Sequence, residues 1–318
     1  MKRLFPILSL IFVFGLLAAA CAPTAAATGT ATPADTAITL VDGLGRTVTL
    51  AAPAQKVVSL APSNTEMLFA LGAGAQVAGR DDFSNYPEEA LAIASVGGSM
   101  GDYNLEEIAR LQPDLVLVAE INTPELVNAL ENLELTVFYL SNPDDIEGIY
   151  TNLEIVGKLA GRAAQAEALI ASLQARVGRI DAALETVTDQ PLVFYELDAT
   201  DPAKPWTAGP GTFLNLLVQR AKGKNVGAVL SAEWAQISQE ELLVQNPDVI
   251  LLGNANWGMT AEMVAGRPGW QQIKAVADGR VYAINDDLIS RPGPRQVDGL
   301  EEMVRLLHPQ LTEELKQP

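Results

Sequence analysis

A chain of 318 residues has the length of two domains, and 39 acidic against 21 basic residues give it a formal charge of −18. So acidic a body is a poor partner for nucleic acid. A single cysteine, Cys21, excludes a disulfide framework, and a single histidine near the C-terminus, His308, argues against a histidine-based catalytic triad.

The chain opens with Lys2 and Arg3, then an apolar run from Leu4 to Ala20, and "LLAAAC" closes that run on Cys21. A charged start, an apolar stretch and small residues before a cut site mark residues 1–20 as a secretory signal. The run is short for a membrane span, which takes about 20 apolar residues. A lone cysteine at this spot resembles a bacterial lipoprotein signal, with Ala18 standing where that motif usually has Leu. The resemblance implies that Cys21 becomes the lipidated first residue of the mature chain. Residues 21–37, rich in Ala, Thr and Pro, read as a flexible linker between membrane and folded body. Loss of Lys2 and Arg3 takes the formal charge to −20. No later segment has the character of a membrane span.

Residues 38–160 alternate apolar strands with helical patterns, the mark of α/β layers. "KVVSLAP" (56–62) predicts a strand, and a helix is expected from about Ser63, closed by Gly72 and Gly74. Ser63 with Glu66 three residues later fits a capping box. "QVAGR", "DLVLVA" and "TVFYL" (136–140) predict further strands, and "TPELVNALENLE" a helix. From 161 to 188 the pattern changes to one long helix, with Leu169, Ile170, Leu173, Val177, Ile180, Leu184 and Val187 as its apolar stripe. A strand at "PLVFYEL" (191–197) then opens a second α/β lobe, residues 189–318, with "DVILLG" and "VYAIN" as later strands.

One unit occurs twice. "NLEEIARLQPDLVLVA" (104–119) returns as "SQEELLVQNPDVILLG" (238–253). Asn104 and Ser238 are expected to cap helices, with Glu107 and Glu241 completing capping boxes. Pro113 and Pro247 end those helices, and Asp114 and Asp248 lead into strands apolar enough to be buried on both faces. Glu106 and Glu240 fall in the first turn, where the helix dipole favours an acid. Two lobes carrying the same exposed acid would present a matched pair of charges to a matched pair of partners.

With these segments, and with "KVVSLAPSNTEMLFALGAG", "FSNYPEEA", "WTAGPGTFLNLLVQRAKGKNV" and "GRVYAIN" in the same order, residues 40–308 resemble the substrate-binding proteins of ABC importers for cobalamin, haem and ferric siderophores. The resemblance implies an α/β fold of two Rossmann-like lobes joined by a single long α-helix, with the ligand in the cleft between them. It implies an extracytoplasmic, lipid-anchored, monomeric binding protein without enzymatic activity or cofactor. Its partner would be a dimeric permease with ATPase subunits, whose arginines receive one glutamate from each lobe, here Glu106 and Glu240.

Within the family the likeness is greatest to cobalamin binders, whose clefts surround the corrin with aromatic faces and a few polar groups. The matching positions are Phe83, Met100, Trp206, Trp234, Asp287 and Arg291, with no protein ligand to a metal. A flat macrocycle with amide arms needs that apolar area and those oriented polar groups. Trp206 and Trp234 lie in Pro/Gly/Ala-rich loops; Trp257 reads equally as core or ligand contact, and Trp270 as structural. Met100 and Ala119 stand where cobalamin binders often carry an aromatic residue. A ferric siderophore, drawn by Arg80, Arg291 and Arg295, is the second expectation, and haem, with Tyr86, Tyr103 or Met100 as axial ligand, the third. A secreted hydrolase using paired carboxylates is the alternative from another class.

Overall fold

A computed structural model describes residues 37–99 and 101–315. Cys21, the signal region 1–20, all of the 21–37 segment but its last residue, and Met100 lie outside the described residues. A hairpin of β1 (Ile38–Val41) and β2 (Thr47–Leu50) comes first. Then follow β3 (Val57–Ser59), α1 (Pro62–Ala70), β4 (Val77–Arg80), α2 (Leu105–Arg110), β5 (Leu115–Ala119), α3 (Pro124–Glu131) and β6 (Val137–Leu140). The strands β4-β3-β5-β6 form one parallel sheet in that order.

Two helices, α4 (Ile146–Leu159) and α5 (Ala163–Glu185), separate this sheet from the next along the chain. The second lobe comprises β7 (Leu192–Glu196), β8 (Trp206–Ala208), α6 (Phe213–Arg220), β9 (Lys224–Asn225), β10 (Trp234–Gln236), α7 (Gln239–Gln245) and β11 (Val249–Leu252). It ends with α8 (Ala261–Ala265), α9 (Lys274–Ala277), β12 (Val281–Ala283), α10 (Asp287–Ser290) and α11 (Gln296–Leu307). Its parallel sheet runs β9-β7-β11-β12, and β8 and β10 pair separately as an antiparallel ribbon. No helix among the described residues is long and apolar enough to cross a membrane.

The two parallel sheets have the same order. In each, the second strand lies on one side of the first, and the third and fourth on the other. The strand order therefore reverses between β3 and β5, and again between β7 and β11. That reversal point, past the carboxyl ends of the strands, is where open α/β sheets hold ligands.

The repeated sequence unit is repeated in structure. Asn104 Oδ1 accepts from the Glu107 amide at 3.0 Å, and Ser238 Oγ from the Glu241 amide at 3.1 Å. Gln112 and Asn246 leave their helices in the left-handed region, at φ 48° and 52°, just before the prolines. Asp114 accepts from the Gln55 and Lys56 amides at 2.8 and 2.9 Å, and Asp248 from the Leu192 amide at 2.8 Å. The aspartate thus pins the entry of the neighbouring first strand in both lobes. β5 and β11 are buried throughout.

The structure departs from these expectations at three points. The capping boxes at α2 and α7 are half-formed: the Glu107 carboxylate takes Arg110 Nε at 2.6 Å, and Glu241 takes Gln245 Nε2 at 2.9 Å. At α2 the reason is visible, because the Asn104 amide already donates to the Val96 carbonyl. No box forms at α1 either. That helix starts at Pro62 behind an uncapped Ala61, Ser63 lies within its first turn, and Glu66 is drawn to arginines of the second lobe. Finally, α4 was not anticipated, although Asp145 caps it and Ile146, Ile149, Tyr150, Leu153 and Val156 bury its apolar face.

α5 buries Ile170, Leu173, Val177, Ile180 and Leu184 in a hydrophobic core that also includes Val57 and Leu117 of the first sheet and Val193 and Leu251 of the second. Arg176 of α5 pairs with Asp298 and Glu301 of α11, at 2.5 and 3.0 Å. Arg220 of α6 pairs with Asp181 of α5 and Glu147 of α4.

Candidate functional site

The parallel strands deliver their following residues into one cleft. Ala61 to Ser63 follow β3, Phe83 and Asn85 follow β4, Ile121 follows β5, and Asn142 follows β6. Opposite them stand Asn256 and Trp257 after β11, Asn285 to Asp287 after β12, and Ser290 to Pro292 around the end of α10. They enclose about 750 Å³. A second chamber of about 490 Å³ shares Asn142, Ser290 and Pro292 with the first and extends to Trp234, Glu120, Asp144 and Glu233. Pockets of 300–1,000 Å³ with apolar walls and a few polar groups are the usual size for small-ligand sites.

Buried polar groups place the walls. Asp81 is buried below β4 and accepts from the Phe83 amide at 3.0 Å and from Ser84 Oγ, which turns the Phe83 ring outward. Burial pushes the Asp81 carboxyl up, against those hydrogen bonds. On the other side, Asn254 Nδ2 donates to Glu196 Oε1 at 2.8 Å, and Glu196 is paired with Arg267 at 2.5 and 2.8 Å. Arg267 stacks on Trp270, 4.4 Å from the ring centroid, and Trp270 itself is buried against Phe194. Trp270 is therefore core. This assembly fixes the 253–257 turn, whose tip Trp257 stands 84% exposed. Gly253 must lack a side chain, because a Cβ would fall 2.2 Å from the Tyr195 hydroxyl. Asp286 accepts from that hydroxyl and from Ser290 Oγ; burial pushes the Tyr195 phenol well above its ordinary range, so it remains a donor.

Arg291 is the only cation among the described residues lining the two chambers, and it is spent. Its guanidinium meets Asp287 at 2.9 Å, Glu66 at 3.1 Å and Asn85 Oδ1 at 2.8 Å. Arg295 forms a fork on the same Glu66, at 2.5 and 2.8 Å, and stacks on Tyr86 at 3.7 Å. Arg80 is buried and donates to the Ala90 and Asp81 carbonyls. Asp286, Asp287, Glu120, Asp144 and Glu233 line the chambers alongside that one paired arginine.

Of the residues singled out by sequence, Phe83, Asp287 and Arg291 line the main chamber and Trp234 the adjoining one. Trp206 lines neither. It and Trp234 belong to the β8–β10 ribbon rather than to loops, on the same face, and Trp206 is 39% exposed. Ala119 lies on the chamber wall, and Met100 is outside the described residues. Glu106 and Glu240 are exposed in the first turns of α2 and α7, and neither is ion-paired among the described residues.

The cleft also holds residues that sequence reasoning missed: Ile121 and four asparagines, Asn85, Asn142, Asn256 and Asn285. Each comes a few residues after a strand end, which was the one available signal. The asparagines are linked in part: Asn256 Nδ2 donates to Asn285 Oδ1 at 3.1 Å.

Two groups that could serve a metal, the lone histidine and the axial candidate Tyr103, are committed elsewhere, whereas Met100 is outside the described residues and the Tyr86 ring lies under Arg295. His308 is buried with Nε2 2.8 Å from the Ala221 carbonyl. The Tyr103 hydroxyl donates to the Leu60 carbonyl and accepts from Asn122 Nδ2 at 2.8 Å. Burial and the nearby Asp81 charge push its pKa up to about 12, so a phenolate there is disfavoured. Among the described residues no group of three or more His, Cys, Asp or Glu is placed to hold a metal ion.

The periplasmic binding protein family matches this chain over residues 57–288. The chain is 32% identical over 277 residues to an uncharacterized ABC transporter substrate-binding lipoprotein of Bacillus subtilis, YvrC, covering 86% of each. It is 30% identical over 278 residues to a cobalamin-binding protein of Halobacterium salinarum, covering 85% of this chain and 74% of that one. Among solved structures, the periplasmic heme-binding protein RhuT of Roseiflexus, in apo form, matches with a TM-score of 0.72 at 25% identity, over 80% of this chain and 98% of its own.

Proposed function

The chain belongs to the periplasmic binding protein family, and from that premise we propose that its interlobe cleft takes cobalamin or a related corrinoid. It is an extracytoplasmic substrate-binding protein of an ABC importer, serving a permease and its ATPase, and not an enzyme. The observation that carries the corrinoid reading is the chemistry of the cleft wall. Four asparagines line the chamber between the apolar faces of Phe83, Ile121 and Trp257. The groups not spent on Arg291 or on the Asn256–Asn285 bond, namely Asn85 Nδ2, the Asn142 side-chain amide, Asn256 Oδ1 and Asn285 Nδ2, are donors and acceptors that suit primary amides. Neutral amide arms around a flat ring match that wall.

An anionic ferric chelate or the propionates of haem would call for unpaired arginine, and Arg291 is already held by two carboxylates. The cobalamin-binding relative supports the same reading. Calorimetric titration of the full chain with cyanocobalamin, haemin and a ferric siderophore tests it. Saturable one-to-one binding of cyanocobalamin, with haemin and siderophore silent, is expected; a preference for either iron ligand would reject the corrinoid.

Delivery is proposed to run through Glu106 and Glu240, one per lobe, docking on the two halves of a dimeric permease, while a lipid on Cys21 holds a monomeric body at the membrane. The helices α2 and α7 feed equivalent strands, so the two acids occupy matching places in the two lobes. Exposed ion pairs contribute only about 0.2–1 kcal/mol each, so their main effect is on orientation and encounter rate. Replacing both by Ala is expected to slow uptake in whole cells and leave ligand affinity untouched. Unchanged uptake would mean that docking does not depend on them.

A further inference from the structure

We propose that Glu66 determines ligand specificity by neutralising the arginines at the cleft floor, so that the site excludes anions. Glu66 lies in α1 of the first lobe and is buried. Both arginines that reach it, Arg291 and Arg295, come from the second lobe, and both of its oxygens are occupied, Oε1 by Arg291 and Arg295 and Oε2 by Arg295. Only Arg291 also borders the ligand chamber, where Asp287 takes its other amino group. Two guanidinium charges thus meet two carboxylates. What faces the chamber is an arginine that can still shape the wall but has no net charge to offer.

A buried carboxylate without a partner would be costly, and so would two partly buried arginines. The arrangement is stable because each supplies the other's counter-charge across the lobe boundary. It also leaves the remaining chamber carboxylates, Asp286 and those near Trp234, as the net charge a ligand meets. The inference rests on the cleft being the ligand site, and not on the ligand being a corrinoid.

The test uses the full-length chain, with haemin as the anionic macrocycle and cyanocobalamin as the neutral one, each titrated at low and high salt. Glu66→Gln is expected to raise haemin affinity about ten-fold or more, the scale of a hydrogen bond to a charged group, and the gain should fall away at high salt. Glu66→Asp, which keeps the charge, should behave as wild type. Asp287→Asn frees Arg291 from the exposed side and should show a smaller gain in the same direction; it decides the matter if Glu66→Gln does not fold. Haemin binding by wild type as tight as by Glu66→Gln, an equal gain in Glu66→Asp, or no gain in Asp287→Asn would overturn the proposal. Failure of wild type to bind cyanocobalamin would instead reject the corrinoid reading and leave the haemin comparison to decide the role of Glu66.

Discussion

Replacing Arg267 with alanine is expected to destabilise the fold by about 3–5 kcal/mol, the usual cost of stranding one member of a buried ion pair. Its partner Glu196 is fully buried at the end of β7 and keeps only the Asn254 amide once the guanidinium is gone. Arg267 also covers the Trp270 ring, so the substitution removes packing together with charge. Urea unfolding followed by circular dichroism reads the change as a lower midpoint. Changing both residues together, Glu196→Met with Arg267→Met, should recover much of the loss, because a well-packed apolar pair avoids the desolvation cost. A single Arg267→Ala variant within about 1 kcal/mol of wild type would mean that Glu196 finds water, contrary to its burial. The effect also reaches the cleft. Glu196 holds Asn254, Asn254 belongs to the turn that carries Asn256 and Trp257, and a loosened turn should weaken ligand binding beyond what lost stability explains.

How far sequence could lead is clear from individual residues. The β5 and β11 strands were legible because continuous apolar runs have few other fates in an α/β chain, and the Pro-Asp steps before them marked their beginnings. The duplicated unit pointed to two related lobes, and the equal strand orders agree with that. Glu66 was misread because spacing to Ser63 is a local signal, whereas its real partners lie 225 and 229 residues away. The same limit hid the four asparagines. An Asn after a strand end is a common turn residue, and only the facing of the two sheets brings four of them, two from each lobe, to one chamber. Trp206 and Trp234 were singled out by the resemblance to cobalamin-binding clefts, and the Pro/Gly/Ala-rich surroundings that supported them are shared by ribbons and ligand loops alike. Trp257 has such surroundings too, but only the turn fixed beneath it directs its ring into the chamber.

The three tryptophans should therefore differ sharply when each is changed to alanine. Trp257→Ala is expected to weaken corrinoid binding about 30- to 1,000-fold, the loss of about 2–4 kcal/mol typical of a central aromatic contact. Because the side chain stands 84% exposed without ligand, thermal stability should stay within about 0.5 kcal/mol of wild type. Affinity and stability would then separate, which a structural tryptophan cannot do. Trp234→Ala should cost less, since it borders only the adjoining chamber, and Trp206→Ala should cost least, since it borders neither. Calorimetric titration of the three variants with cyanocobalamin gives the ranking. If Trp206→Ala abolished binding while Trp257→Ala bound normally, the ligand would be resting on the β8–β10 ribbon, and the chamber between the sheets would not be its site.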